Sequence, residues 1–329
     1  MSHRIHFLPR GYTVTVHPGE TVLEALHRLG YTAPYACRNG NCHVCAARGL
    51  KGHPGSAARL EGAEGSPDVL ICKARPESDC ELEMTNLYAP DEIPVSEFSA
   101  QIIGIEPFTD EVFRVVLRAP AGKLPAFFPG QYLQLMVPEV DGAYFSIANA
   151  PGSREIELHM LVLSEQSSAQ DILDYLRTHP TVKIRMPLGR CCLTALPEGP
   201  VVLVAAGTGF AQIKSVMEGL LAQGFSHPIT ALWGVRRARE RYAPALFNEW
   251  ARHPNVRCIA IDADNLDNEW NGHHGELIRA LRETSMEWAK AHVFASGSPA
   301  MVYSAMDTLL EQGLPEAQFH SDVLEYAPR

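Results

Sequence analysis

The stretch Tyr35-Ala-Cys-Arg-Asn-Gly-Asn-Cys-His-Val-Cys45 sets Cys37, Cys42 and Cys45 in one short loop. A fourth cysteine, Cys72, follows after 26 intervening residues, inside Val69-Leu-Ile-Cys-Lys73. The spacing C-x4-C-x2-C…C suits four thiolates around a [2Fe–2S] cluster. Iron in tetrahedral sulfur coordination takes soft anionic ligands, and a tight loop can wrap three of them around one side. Arg38, Gly40 and their small neighbours keep the loop open, so that backbone N–H groups can point at the cluster sulfurs. His43 lies in the same loop and could replace a cysteine, as in mixed Cys/His centres, but the four-cysteine set is already complete.

Length and composition bound what surrounds this loop. A chain of 329 residues suggests two or three domains. Hydrophobic content of 46% and a mean hydropathy of −0.08 are ordinary for a globular protein. No apolar run reaches the length of a membrane span, and the first ten residues hold no apolar signal segment, so neither a membrane nor export is expected. The net charge of −10 argues against nucleic acid and leaves room for docking on a basic protein face. Thiolate ligands for iron fit a reducing cytoplasm. The remaining cysteines, Cys80, Cys191, Cys192 and Cys258, are scattered without paired ligand spacing and read as small buried hydrophobes rather than a zinc site. The fourteen histidines, His273-His274 among them, read as surface or core residues.

Taken in order, the chain changes texture twice. Residues 5–16 read as a hairpin with a Pro-Arg-Gly turn, and Val22–Leu29 as a helix capped by Thr21 and stopped by Gly30. Cys80–Met84 alternates and would close a small sheet. This domain spans 1–88, and the Pro-rich segment 89–97 reads as a linker. Residues 98–198 carry six strand candidates at 99–105, 112–118, 131–137, 144–147, 155–163 and 181–186, interrupted by one helix at 169–176. That spacing suggests an antiparallel β-barrel. From 199 to 329, continuous apolar strands alternate with helices, the signature of a doubly wound parallel sheet. The first of these strands, Val201–Ala206, runs into Gly207-Thr-Gly209 and a helix. Glycines there let backbone approach a pyrophosphate, whose charge the helix N-terminus favours.

The sequence of cysteine loop, barrel and Gly-Thr-Gly sheet resembles the ferredoxin–NADP reductase-like oxidoreductases that carry an N-terminal plant-type ferredoxin domain. These are reductase components of multicomponent oxygenases and the CDP-6-deoxy-Δ3,4-glucoseen reductase group. The resemblance implies a multidomain α+β chain: a β-grasp [2Fe–2S] domain ligated by Cys37, Cys42, Cys45 and Cys72, a flavin barrel, and an α/β NAD(P) domain. It implies an NAD(P)H-dependent electron-transfer enzyme whose cofactors are the cluster, FAD rather than FMN, and NADH or NADPH. An acceptor protein would dock near the cluster loop. The family's flavin motif Arg-x-Tyr/Phe-Ser matches Ala143-Tyr-Phe-Ser-Ile-Ala-Asn149, so Tyr144, Phe145, Ser146, Ile147 and Asn149 become flavin-site candidates. Ser146 would orient flavin N5, while Ala143 stands where the phosphate-binding arginine belongs. Of the family's second phosphate contact, Ser167 and Ser168 remain, without its glycines. By the same carry-over, Gly207, Thr208, Gly209, Arg236, Ser296 and Gly297 would hold the nicotinamide nucleotide, and Tyr326 would cover the flavin. Arg237, Arg239 and Arg241 extend the cationic segment. Two other readings stay open: flavin as a diffusible substrate, or a ferredoxin-like binding module on a reductase scaffold that has lost flavin.

Overall fold

The computed structural model describes residues 2–55, 68–90, 92–163, 167–262 and 275–329. His273, His274 and residues 164–166 lie outside them. The chain forms two compact units, Met1–Pro94 and Val95–Arg329, and the division falls inside the segment read as a linker.

In the first unit, strands β1 (His3–Leu8) and β2 (Tyr12–Val16) pair as the expected antiparallel hairpin. Helix α1 (Val22–Arg28) starts on a complete capping box. The Glu24 N–H donates to Thr21 Oγ1 at 3.2 Å, and the Thr21 N–H returns to Glu24 Oε2 at 2.7 Å. Such a cap satisfies two otherwise orphaned donors. Val22, Leu23, Ala25 and Leu26 form its buried face. Strands β3 (Ala46–Lys51), β4 (Asp68–Leu70) and β5 (Cys80–Glu83) complete a sheet of order β2-β1-β5-β3-β4. β5 lies parallel to β1 and antiparallel to β3, so the strand nearest the unit's C-terminal end sits at the sheet centre. The cysteine loop leads directly into β3, and Cys72 follows β4, so the β3–β4 pair brings the fourth cysteine back to the other three.

The second unit begins with β6 (Ser96–Pro107), β7 (Val112–Arg118), β8 (Tyr132–Met136), β9 (Tyr144–Ser146), β10 (Glu155–Leu161) and β11 (Thr181–Leu188). Their order is β10-β7-β6-β11-β8-β9, all antiparallel. The gap between β9 and β10 is bridged just past β9. There the Ala148 N–H donates to the Glu157 carbonyl at 2.7 Å, and the Glu157 N–H donates to Asn149 Oδ1 at 2.8 Å. Helix α2 (Ser167–Thr178) packs Ile172, Leu173 and Leu176 onto the barrel core.

Strands β12 (Val201–Ala206), β13 (Ile229–Val235), β14 (Val256–Asp262), β15 (His292–Ser296) and β16 (Phe319–His320) form a parallel sheet of order β14-β13-β12-β15-β16. The chain runs outward from β12 on one side, then returns to its other side at β15. The C-terminal ends of β12 and β15 are therefore a topological switch point, where open α/β sheets place their ligands. Helix α3 (Phe210–Ala222) is buried almost all round because it lies between this sheet and the barrel. A Cβ on its Gly219 would stand 2.5 Å from Pro129 Cγ, so only glycine allows this approach. From α3, Gln212 Nε2 donates to the Gly130 carbonyl at 2.7 Å, and Ser215 Oγ donates to the Asn149 carbonyl at 2.8 Å. α4 (Pro244–Trp250), α5 (Gly275–Glu283), α6 (Pro299–Glu311) and the short α7 (Val323–Tyr326) complete the unit. Among the described residues, no helix is long and apolar enough to cross a membrane.

Candidate functional site: a four-thiolate loop and a barrel–sheet cavity

The four cysteines converge as two pairs. The Cys42 N–H donates to Cys37 Sγ at 3.3 Å, and the Cys37 N–H donates to Cys42 Sγ at 3.5 Å. Cys45 lies beside Cys72, whose ionisation it opposes, and both are buried. Positive φ at Arg38 (56°), Gly40 (91°) and His43 (57°) curls the loop tightly enough to do this. The Cys37 thiol is lowered to about 6, first by the Cys42 thiol and then by the backbone N–H groups of Cys42, Asn39 and Asn41. Burial pushes Cys72 up to about 11, with Cys45 adding to it. Among the described residues, no three His, Cys, Asp or Glu side chains gather around one point as a single-ion site would need. Two sulfur pairs fit a two-iron cluster better than one ion, with one pair available to each iron.

The second site is a cavity of about 1170 Å³ in the second unit. Its volume exceeds the roughly 300–1000 Å³ of a pocket for one small ligand, so two ring systems have room. Tyr144, Phe145 and Ser146 of β9 line the barrel wall. Gly207, Thr208 and Gly209, Arg236, and Ser296, Gly297 and Ser298 line the sheet wall. These segments end β12, β13 and β15, so the switch point opens into the cavity. Gly207 has φ +55°, and a Cβ there would meet nothing within 4 Å, so its open side is free for a ligand. Gly209 instead packs on β15, where a Cβ would stand 2.2 Å from the Ser296 carbonyl oxygen. Trp233 Nε1 donates to the Gly207 carbonyl at 3.0 Å, and its ring stacks on Phe210 at 3.9 Å. No side chain caps the start of α3; its first N–H, that of Phe210, turns back to the Gly207 carbonyl, so the Gly207–Gly209 turn forms the leading end of the helix towards the cavity.

Other expected residues lie elsewhere. Ile147 is fully buried in the barrel core. Asn149 spends its side chain on closing the barrel: Oδ1 accepts from Glu157, and Nδ2 donates to the Ala150 and Glu155 carbonyls. Tyr326 is 65% exposed and is not among the cavity residues. Arg237 and Arg239 line the cavity beside Arg236, but Arg241 pairs with Asp262 at 3.1 Å. Ala143 is buried in the barrel core, so the position of the family's arginine offers no charge to a phosphate.

Parts of the cavity wall carry no motif, among them the Thr109–Val112 turn, His159 and Tyr242. His159 is 5% exposed, with Nδ1 2.9 Å from Tyr242 Oη and Nε2 2.8 Å from Glu157 Oε1. Glu157 also receives Arg114 at 3.0 Å and Lys214 at 3.4 Å, and Lys214 reaches Glu218 at 2.7 Å. Burial would raise the Glu157 carboxyl. The His159 hydrogen bond, Lys214 and Arg114 outweigh it and hold the group at about 2. His159 is lowered by burial, against the pull of Glu157, so it sits neutral on the cavity wall. The only sequence signal for this network is a histidine amid the apolar residues of β10.

A thiolate cluster site joined in one chain to a nucleotide sheet and a barrel defines an electron-transferring oxidoreductase. Residues 5–77 match the 2Fe-2S iron-sulfur cluster binding domain, and residues 203–307 match the oxidoreductase NAD-binding domain. The chain is 31% identical to terephthalate 1,2-dioxygenase reductase component 2 of Comamonas sp, covering 100% of this chain and 99% of that one. It is 28% identical to the CDP-6-deoxy-L-threo-D-glycero-4-hexulose-3-dehydrase reductase of Yersinia pestis, covering 98% of each. Among solved structures, an Amycolatopsis cytochrome P450 reductase superposes with a TM-score of 0.64 at 26% identity, covering 97% of this chain and 98% of that one. The chain belongs to the family of iron–sulfur flavoprotein reductase components. The family passes electrons from NAD(P)H through FAD to a [2Fe–2S] cluster and on to an oxygenase or dehydrase component, and this chain is an NAD(P)H-dependent oxidoreductase of that kind.

Proposed function

We propose that residues 1–88 carry the cluster on Cys37, Cys42, Cys45 and Cys72, that the 98–198 barrel holds FAD through Tyr144–Ser146, and that the 199–329 sheet binds the nicotinamide nucleotide. When bound, these groups supply hydride acceptance and its division into single electrons. The protein's part is alignment. Ser146, on the barrel wall, orients the flavin ring with its hydroxyl. The Gly207–Gly209 turn leading into α3 receives the dinucleotide phosphates, with Arg236 at the ribose end. Ser296 and Gly297 floor the nicotinamide with small side chains. Neutral His159 and Tyr242 close the far wall against water. The carrying observation is the single cavity lined jointly by the barrel motif and the Gly-Thr-Gly turn. The acceptor is a partner protein that docks near the cluster loop. A cytoplasmic setting follows from four iron-ligating thiols that must stay reduced.

Buried Ala143 favours a second reading, in which flavin is held weakly and exchanges. Freshly purified protein separates the two. Flavin retained through gel filtration, with NAD(P)H oxidation that needs no added flavin, supports a resident cofactor. Oxidation only with added flavin supports the exchanging form, and none in either condition refutes both. Ser146→Ala is expected to slow reduction of bound flavin by NAD(P)H about a hundredfold, the size of effect seen when one positioned donor is removed. Stopped-flow absorbance at unchanged flavin content checks this.

A further inference from the structure

We propose that the acceptor docks on the cluster loop through an acidic face, seated on Tyr35 and Val44 and held by Arg38 and Lys73. This rests on the reading of that loop as the electron exit. The whole-chain charge of −10 would by itself suggest a basic partner. The charge around the loop has the opposite sign. From Ala25 to Leu60 the sequence contains no Asp or Glu and five Lys or Arg. Most described carboxylates of the first unit are already paired at a distance in sequence or in helix caps. Glu20 takes Arg28, Asp79 takes Arg4, Glu81 takes Lys51, Glu83 takes Arg48 and Glu92 takes Arg10.

Arg38 and Lys73 form no ion pair among the described residues. The Arg38 guanidinium lies over the Tyr35 ring at 4.5 Å, and His27 meets that ring edge-on at 4.8 Å. The Lys73 stem flanks the loop, because a Cβ on Gly40 would lie 3.4 Å from Lys73 Cγ. In the same loop Tyr35 is 41% and Val44 48% exposed. An apolar centre with a charged rim is the usual anatomy of a protein interface. Charges separated by more than a Debye length of about 8 Å at physiological salt are largely screened, so the local cations outweigh the distant net charge at contact.

The test uses the full holoprotein, reduced with NAD(P)H, and two probe acceptors: the acidic soluble domain of cytochrome b5 and basic cytochrome c. The proposal expects kcat/KM for cytochrome b5 to fall as salt rises. It expects a further drop of about tenfold at low salt in Lys73→Glu, and a smaller one in the milder Arg38→Gln. Neither change should lower the cytochrome c rate. Cluster absorbance in each variant establishes that the loop still assembles. An equal loss with both acceptors, or none with either, overturns the proposal. Slower reduction of the cluster by NAD(P)H within Lys73→Glu also overturns it, by assigning this face to the chain's own second unit. If the cluster is reduced in wild-type protein but neither cytochrome is, the exit reading itself fails.

Discussion

Cys72→Ala is expected to abolish cluster assembly and with it electron delivery to any protein acceptor. Cys72 is the one ligand supplied from outside the loop, and it forms the buried sulfur pair with Cys45. Without it only three cysteines would remain to hold the cluster, with Cys45 alone in its pair. Loss of an outer-shell partner already costs a metal site about 10–100-fold, so loss of a ligand costs more. A hard oxygen is a poor substitute for a soft thiolate on iron, so Cys72→Ser should not rescue. Iron and acid-labile sulfide content, the visible spectrum and cytochrome reduction check the loss. Ferricyanide reduction by NAD(P)H should persist, because the cavity of the second unit holds none of the four cysteines. Its disappearance would mean that the two units do not function separately.

The second large effect is on stability. Glu157→Leu should destabilise the second unit by about 3–5 kcal/mol, the usual cost of removing one partner from a buried ion cluster. The side chain is 12% exposed and joins β10 to β7 through Arg114 and to α3 through Lys214. Its removal leaves Lys214, at 10% exposure, with only Glu218 and the Ala148 carbonyl. The pH dependence has a definite sign. A carboxyl held at about 2 in the folded protein, against 4.5 unfolded, adds stability above pH 4.5 that is lost as pH falls towards 2. His159, lowered by burial, acts in the same direction, because the unfolded chain takes up its proton first as pH drops below about 6.5. Below pH 4.5 wild-type protein should therefore lose stability more steeply than Glu157→Leu. Urea unfolding at several pH values measures both slopes, and parallel slopes would rule out this account of the network.

Local chemistry made part of this legible in the sequence. The Thr21-x-x-Glu24 capping box announces α1, and the six alternating segments from 99 to 186 all become strands. β3 was unreadable, because Ala46-Ala-Arg-Gly-Leu-Lys51 lacks the branched residues and alternation that mark a strand. It pairs because the cluster loop delivers it between β4 and β5. The same division holds at the cavity. Tyr144–Ser146 and Gly207–Gly209 carry contiguous motifs, whereas His159, Tyr242 and the Thr109–Val112 turn meet there only through the barrel and sheet topology. Asn149 shows the converse: a motif position whose side chain closes the barrel.

One chain is expected to move electrons from a nicotinamide to a [2Fe–2S] cluster. Anaerobic titration of purified full-length protein with NADH and with NADPH, followed by electron paramagnetic resonance, tests it directly. At least one of the two should produce the spin signal of a one-electron-reduced [2Fe–2S] centre, in proportion to iron content, and Cys72→Ala should show none. Iron-replete protein in which neither nucleotide produces that signal, while dithionite does, would contradict it.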